Sequence, residues 1–497
     1  RDDVESRGLG DVYKRQLSTI NKSNIIYALC RLKGVTAFCL ASDEKEAQTL
    51  CNDLSCMGLR AYVYPVRDFN FLDFQSRSHE YEHARLKVLL KLLNHECDVA
   101  IACVDAAAQL TVPRNVLEQS VIEFEEGREL SLEKATKALT LLGYERFDAV
   151  EGSGQFSLRG GILDFFMPDS DYPVRCEFWG DEITDLSYFD IETQRRFKKA
   201  DKITLSPSTE IVIEDRAALA DKIEHKAKLL RSKNSAKAKE KLFSEAELIR
   251  SGAMIANADK FINQIYDKPE SLFDYLDRNT LVFASEFTAI QERGKSMDFI
   301  SNETLMQGFE DGTLCRGFDR FALTFNECTE FLQSHGTIVL ENFVHGSMPI
   351  KLSEIISFST KQLSAWGGSY KQLKEDVDGL FTPESKGVIF AGTERAAKNL
   401  CDTFNADGIN AVYSEGADKI SKGELLVMQG ALSAGFEYPS QKFFAITYSQ
   451  VSYRPEKSKK KKKKTGKEIY SLSELAPGDY VVHNVHGIGV FLSLIHI

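Results

Sequence analysis

The sequence predicts an α/β chain of several domains, and three observations carry that prediction. Its 497 residues exceed the roughly 250 to 300 over which one core keeps growing, so several cores are required. Two stretches, one near residue 40 and one near residue 390, each read as strand, amphipathic helix, strand, the unit that builds parallel sheets. A third, from Glu151 to Asp190, alternates apolar and polar residues in short runs broken by Gly-Gly and Gly-Asp, which predicts a β-rich insertion.

Composition narrows the class. With 43% hydrophobic and 27% charged residues, the chain can bury enough apolar surface to offset its ordering entropy, so wholesale disorder is excluded. A net charge of −11 argues against a protein whose whole surface wraps nucleic acid, and leaves room for a local basic patch. The ten cysteines form no CxxC pair. The closest two, Cys51 and Cys56, lack a second ligand pair at zinc-like spacing, so reduced, packed thiols of a cytoplasmic protein are expected and no metal site is. No apolar run approaches the about 18 residues of a membrane span, and no secretory signal is present. The polar start RDDVESRGLGDVYKRQ, without Met, and the stop at FLSLIHI read as truncations carrying foreign residues.

The elements follow in order. Val35–Leu40 suits a buried strand; Asp43 with Glu46 suits a helix start, and Ala47, Leu50, Cys51 and Leu54 share a helical face. Gly58 can end that helix, with Ala61–Tyr64 as the returning strand. A helix from about Tyr81 to Leu93 and a strand Val99–Val104 come next. Lys222–Ala256 is charged with a helical pattern. Downstream, Val388–Phe390 is strand-like, Thr393 can cap, Ala397, Leu400, Cys401 and Phe404 share a face, Gly408 closes the helix and Ile409–Tyr413 returns. Lys459, Lys460, Lys461, Lys462, Lys463 and Lys464 form a self-repelling block expected to be an extended linker, with phosphate contact to nucleic acid as the alternative. Pro477-Gly478-Asp479, a strand Tyr480–Val482 and a turn at His486-Gly487 suggest the opening of a small β-barrel. His483 and His486 fall on strand and turn without partners in register, so packing rather than metal ligation is expected of them.

Within the insertion, Val174, Cys176 and Phe178 point one way and Arg175, Glu177 and Trp179 the other. Gly180-Asp181 turns the chain into Glu182–Phe189, and Gly160-Gly161 bends it between Gln155–Arg159 and Ile162–Phe166, which brings Arg159 near the same polar face. Periodicity alone describes a solvated sheet face with a cross-strand ion pair. A tryptophan beside an arginine points instead to an interface, where both residue types are enriched.

The run GQFSLRGGILDFFMPDSDYPVRCEFWGDEITDLSYFDIETQRR resembles the signature of the UvrB-homology module shared by the excision-repair protein UvrB and the bacterial transcription-repair coupling factors (Mfd). Flanking segments from about Val35 to Ile213 fit the same module. The resemblance implies that the insertion docks UvrA, with Arg159, Arg175, Glu177 and Trp179 as the contact set. UvrB itself would need a P-loop, and no GxxxxGK[ST] spacing is present; the nearest approach, Gly294-Lys295-Ser296, has Ala289 where the first glycine belongs, and Lys295 is read as surface. The C-terminal turn-strand-turn resembles the start of the RNA-polymerase-interacting, CarD-like domain of the coupling factors, which UvrB lacks.

The expected organisation is a degenerate UvrB-like, P-loop-type α/β module over residues 17–120 and 211–350, with the UvrA-docking insertion over 121–210. A small α/β domain over 353–453, the lysine-rich linker 454–470 and the start of an SH3-like barrel over 471–497 follow. The resemblance implies a bacterial, nucleoid-associated factor of transcription-coupled repair that recruits UvrA and displaces stalled RNA polymerase. Its ATP- and magnesium-dependent translocase motor on double-stranded DNA is expected beyond Ile497, so no cofactor site, catalytic activity or membrane contact is expected of this chain. The alternatives are a DNA-binding adaptor, a UvrB-like subunit without ATPase activity, an ATPase with an unrecognised site, and an inert scaffold.

Overall fold

The computed structural model describes residues 17–67, 79–230, 235–252, 258–342, 350–363, 370–416, 420–448, 480–483 and 487–490. The chain forms two compact units, residues 1–451 and 452–497.

At the centre of the first unit lies a five-stranded parallel sheet in the order Ile338–Leu340, Leu281–Ser285, Ala37–Ala41, Val99–Cys103, Ala61–Tyr64. Ala37–Ala41 and Val99–Cys103 are buried at every position, as strands covered on both faces must be. The first expected strand begins two residues later than the apolar run, and Val104 opens a short helix rather than ending a strand. Asp43 caps helix Glu44–Cys56 by accepting the Glu46 amide at 2.7 Å. The Glu46 carboxylate reaches past the cap to Ser42, accepting from its amide at 2.9 Å and its hydroxyl at 2.6 Å. Ala47, Leu50 and Leu54 are buried on that helix as its periodicity predicts, and so, against expectation, is Asp53.

Lys22, in the first turn of helix Thr19–Lys33, is fully buried at the C-terminal ends of strands Ala37–Ala41 and Leu281–Ser285. Its ammonium donates to Ser285 at 3.0 Å and to Glu46 at 3.2 Å, and pairs with Glu286. Doubly wound sheets commonly take their ligands at such strand ends; here the ion cluster fills the position. Gly294-Lys295-Ser296 lies well inside helix Phe287–Asp311, far from any phosphate-loop geometry. Gly294 packs against the Phe325 ring and Lys295 is exposed. The charged stretch expected to be helical is a packed pair, Arg216–Leu229 and Ser235–Arg250, joined through Leu219, Ile223, Leu242 and Ala246.

Between these segments sits a six-stranded sheet in the order Arg196–Lys199, Glu182–Phe189, Val174–Trp179, Ile162–Phe165, Gln155–Arg159, Glu145–Arg146. All neighbours are antiparallel except the last pair. Helix Leu132–Leu141 covers one face, burying Leu139 with Phe156, Leu163, Phe165, Val174, Cys176 and Leu186. The return to the parallel sheet is held by Glu210, whose buried carboxylate accepts from Arg85 Nε at 2.6 Å and Thr111 at 2.7 Å. Glu82 binds the same turn, accepting from the Glu210 amide at 2.7 Å and the Thr209 hydroxyl at 2.8 Å. Burial pushes the Glu82 carboxyl up, but its bond to His79 and the Arg67 charge prevail and bring it down to about 2.

A second six-stranded sheet, mixed in direction, runs Lys361–Leu363, Gly435–Tyr438, Phe443–Thr447, Lys386–Phe390, Glu424–Met428, Ala411–Tyr413. Thr393 caps helix Glu394–Ala406, and Ala397, Leu400, Cys401 and Phe404 are all buried. This sheet packs on the N-terminal helices. Ile20 enters the cluster of Val388, Phe390, Met428 and Ala434, and Tyr438 donates to Asn24 at 3.1 Å. Asp53 accepts from the Ser433 amide and hydroxyl, both at 2.7 Å, and from Ser23 at 3.3 Å.

In the second unit the described residues form one antiparallel hairpin, Tyr480–His483 with Gly487–Val490. The strand includes His483, one residue more than expected, while His486 and Lys459–Lys464 lie outside the described residues. Among the described residues no helix is long and apolar enough to cross a membrane, and no group of acidic, histidine or cysteine side chains could hold a metal.

Candidate functional site

The face of the antiparallel sheet opposite helix Leu132–Leu141 carries the site. Strand parity fixes which residues reach it. The two-residue Gly160-Gly161 loop pairs Arg159 with Ile162 and Ser157 with Asp164; the next registers pair Asp164 with Arg175 and Arg175 with Ser187. Asp164 is therefore between two strands that each present an arginine to the same side. Gly160 has a φ of +62°, the left-handed conformation such a tight turn asks of glycine.

Asp164 is 1% exposed and is the polar centre of this face. Its Oδ1 accepts from Arg175 Nε at 2.7 Å, and its Oδ2 accepts from an Arg175 terminal nitrogen at 2.8 Å and from Arg159 at 2.7 Å. Arg175 also donates to the Gln194 backbone oxygen at 3.1 Å and to its side-chain oxygen at 3.0 Å, while its guanidinium carbon lies 4.4 Å from the Phe189 ring centre. An arginine has five N–H donors; Arg175 spends four of them inside the chain, and its side chain is 12% exposed. Arg159 spends one and is 49% exposed. The two sequence-predicted arginines thus differ in kind: Arg175 is braced, Arg159 is available.

One row along, Glu177 stands opposite Asp185, two like charges that would repel. Arg196, on the edge strand Arg196–Lys199, bridges both, contacting Asp185 at 2.7 Å and pairing with Glu177. The register shifts between Glu177 and Phe178, leaving Thr184 as the extra residue, so Phe178 stays in the core opposite Ile183. Trp179 ends the strand opposite Glu182 and is 79% exposed. An indole that open forgoes most of its burial energy, about 2 kcal/mol or more for a large side chain; it is a side chain without a place in the core.

The structure thus brings Arg159, Arg175, Glu177 and Trp179 onto one sheet face. Sequence reasoning missed Asp164, Asp185, Gln194 and Arg196. For Asp164 the signal was present: a lone acid in Ile162–Phe165, whose parity across a two-residue loop places it between the arginines. Gln194 carries no such signal, because its position depends on a left-handed residue in an irregular turn (φ +56°). The arrangement offers no nucleophile, acid–base pair or phosphate cradle; it offers a braced surface that presents one arginine and one tryptophan.

Residues 122–211 match the family model described as the UvrB interaction domain. The chain is 28% identical over 514 aligned residues to a transcription-repair-coupling factor of Bacillus subtilis, covering 99% of this chain and 43% of that protein. It is 26% identical to the protein of the same description from Staphylococcus epidermidis and 23% identical to that from Staphylococcus aureus. Each match covers 87% of this chain and 37% of the relative. The likeness to bacterial transcription-repair coupling factors therefore runs along nearly the whole chain, which spans about two fifths of the length of the relatives it matches.

Proposed function

We propose that this chain is the recruiting part of a transcription-coupled repair factor, and that its antiparallel sheet docks UvrA through Arg159 and Trp179, with Arg175 and Glu177 shaping the surface between them. One observation carries this reading: within the segment that matches the UvrB interaction domain, a largely exposed tryptophan and a half-exposed arginine share a face on which Asp164, Arg175, Glu177 and Asp185 are internally paired. Ordinary solvated sheet has no need to brace its arginines. Aromatic and arginine side chains on a rigid support are what binding hot spots are made of.

The remaining activities of the coupling-factor reading are ATP-driven translocation on double-stranded DNA and displacement of stalled RNA polymerase. They belong to the whole factor, and no described residue of this chain is assigned to them. ATP and magnesium would serve that motor. The hairpin Tyr480–His483 with Gly487–Val490 supports reading the C-terminal segment as the start of a polymerase-binding, SH3-like barrel.

The test is calorimetric titration of UvrA from the same source into this chain, wild type, Trp179→Ala and Arg159→Ala. Truncating an interface anchor costs about 2 kcal/mol, roughly thirtyfold in affinity. Wild-type binding that both variants weaken by about that factor supports docking on this face. Equal binding by all three moves the docking site elsewhere, and no binding by the wild type removes the recruiting function.

A further inference from the structure

We propose that Asp164 is the positioning residue of the docking face: its carboxylate fixes the plane of the Arg175 guanidinium and anchors Arg159 at one nitrogen, so that the free edge of Arg159 meets a carboxylate on the partner. This rests on the docking reading above and adds to it the residue that orients the contact and the chemistry that the contact selects.

The geometry assigns the role. Asp164 is buried on a strand between the two arginine-bearing strands, and each of its oxygens is engaged: Oδ1 by Arg175, Oδ2 by both Arg175 and Arg159. Arg175 approaches it through Nε and a terminal nitrogen, the two-point arrangement that fixes a guanidinium in the carboxylate plane. Gln194 and the Phe189 ring hold Arg175 from its remaining sides. The carboxylate is therefore immobile, and the single bond it makes to Arg159 is made from a fixed origin. Arg159 presents its other N–H groups to solvent beside the chain turn that leads to Ile162. Two guanidinium groups on one carboxylate leave a net positive charge, and the exposed part of that charge is on Arg159. Its unspent donors suit two-point binding of a carboxylate, which a point charge does not reproduce. The acids nearest along this face cannot compete for Arg159, since Glu177 and Asp185 are both taken by Arg196. Sequence reading had placed the arginines in the contact set without the acid that orients them.

The experiment is titration of UvrA into the wild-type chain and the variants Asp164→Asn, Arg159→Ala, the two combined, and Arg159→Lys, each first checked by circular dichroism and thermal unfolding. Asp164→Asn is expected to bind about tenfold more weakly, and the combined variant to bind no more weakly than Arg159→Ala within about twofold, because Asp164 acts through Arg159. A change that merely loosened the sheet would add to the Arg159→Ala loss instead, and that result overturns the proposal. Arg159→Lys keeps the charge on an exposed side chain and does not depend on Asp164→Asn folding. It is expected to lose as much affinity as Arg159→Ala, and wild-type affinity in Arg159→Lys overturns the proposal. If the wild type binds and Arg159→Ala and Trp179→Ala weaken it while Asp164→Asn does not, the docking reading stands and the role of Asp164 falls. If the wild type does not bind UvrA, both fall.

Discussion

Asp53→Asn should tighten the seam between the N-terminal helices and the second sheet at neutral pH and do nothing to it in mild acid. Asp53 is 1% exposed, and its carboxyl is bound by the Ser433 amide, the Ser433 hydroxyl and the Ser23 hydroxyl, with no ion pair to it among the described residues. Burial pushes its pKa up, the serine bonds pull it partly back, and it comes to about 6 from the usual 3.8. The folded chain then holds a proton between about pH 4 and pH 6 that the unfolded chain has released. Stability from this group is therefore greatest in acid, declines as pH rises through that window, and above about 6 the ionised carboxylate costs its full amount. At about 1.36 kcal/mol per tenfold change, the ceiling of that cost is about 3 kcal/mol. Asparagine keeps one acceptor for the Ser433 amide and must find an acceptor for its own NH₂, so a gain of about 1–2 kcal/mol at pH 7.5 is expected. A chain with several cores need not unfold in one step, so the assay should be local. Hydrogen exchange of the Ser433 amide, taken as the ratio of variant to wild type at each pH, isolates this one group. The variant should open roughly tenfold less often at pH 7.5, with a ratio near one at pH 5. Exchange that is faster in the variant by the same factor at both pH values would show that the carboxylate is ionised and stabilising, and would refute the reasoning.

The other expectations concern fixed points of the same unit. Arg85→Ala removes the nearer of two cations from the buried Glu210 carboxylate, at 2.6 Å, and leaves Arg67 at 3.6 Å, which should cost up to about 3 kcal/mol and show as a lower denaturant midpoint. Gly294→Ala would place a methyl 2.1 Å from the Phe325 ring, so the contact between helices Phe287–Asp311 and Phe325–Ser334 must part, at about 1–3 kcal/mol, again read from denaturant unfolding. Trp179→Ala should leave thermal unfolding unchanged within about 0.5 kcal/mol, since the indole is already exposed, while weakening UvrA; a large drop in melting temperature would mean that the side chain packs after all.

Much of this architecture was legible because local rules and tertiary context agree there. Asp43 and Thr393 cap the helices that their positions announce, and both amphipathic helices bury the faces that periodicity gives them, except that Cys51 is only partly buried. The alternation of Val174–Trp179 sorts core from surface without error. What escaped the sequence has a common physical form: a charged or polar side chain whose partner lies far along the chain. Asp53 reads as the solvent side of an amphipathic helix, and its burial is made tolerable by Ser23 and, chiefly, by Ser433, 380 residues away. Lys22 reads as surface until Glu46, Ser285 and Glu286 close on it. Arg85 belongs, by residue type, on the outside of its helix, yet it reaches the turn at Glu210 where the chain returns from the antiparallel sheet. Periodicity carries no information about such pairs, because hydropathy counts each of these residues as polar whichever way it faces. Asp164 is the exception: its partners sit 5 and 11 residues away on adjoining strands, and strand register alone would have found it. The face around Asp164 was therefore the part of the buried electrostatics closest to legible. The Asp53–Ser433 and Arg85–Glu210 pairs were not, since they depend on segments that meet only when the whole unit has folded.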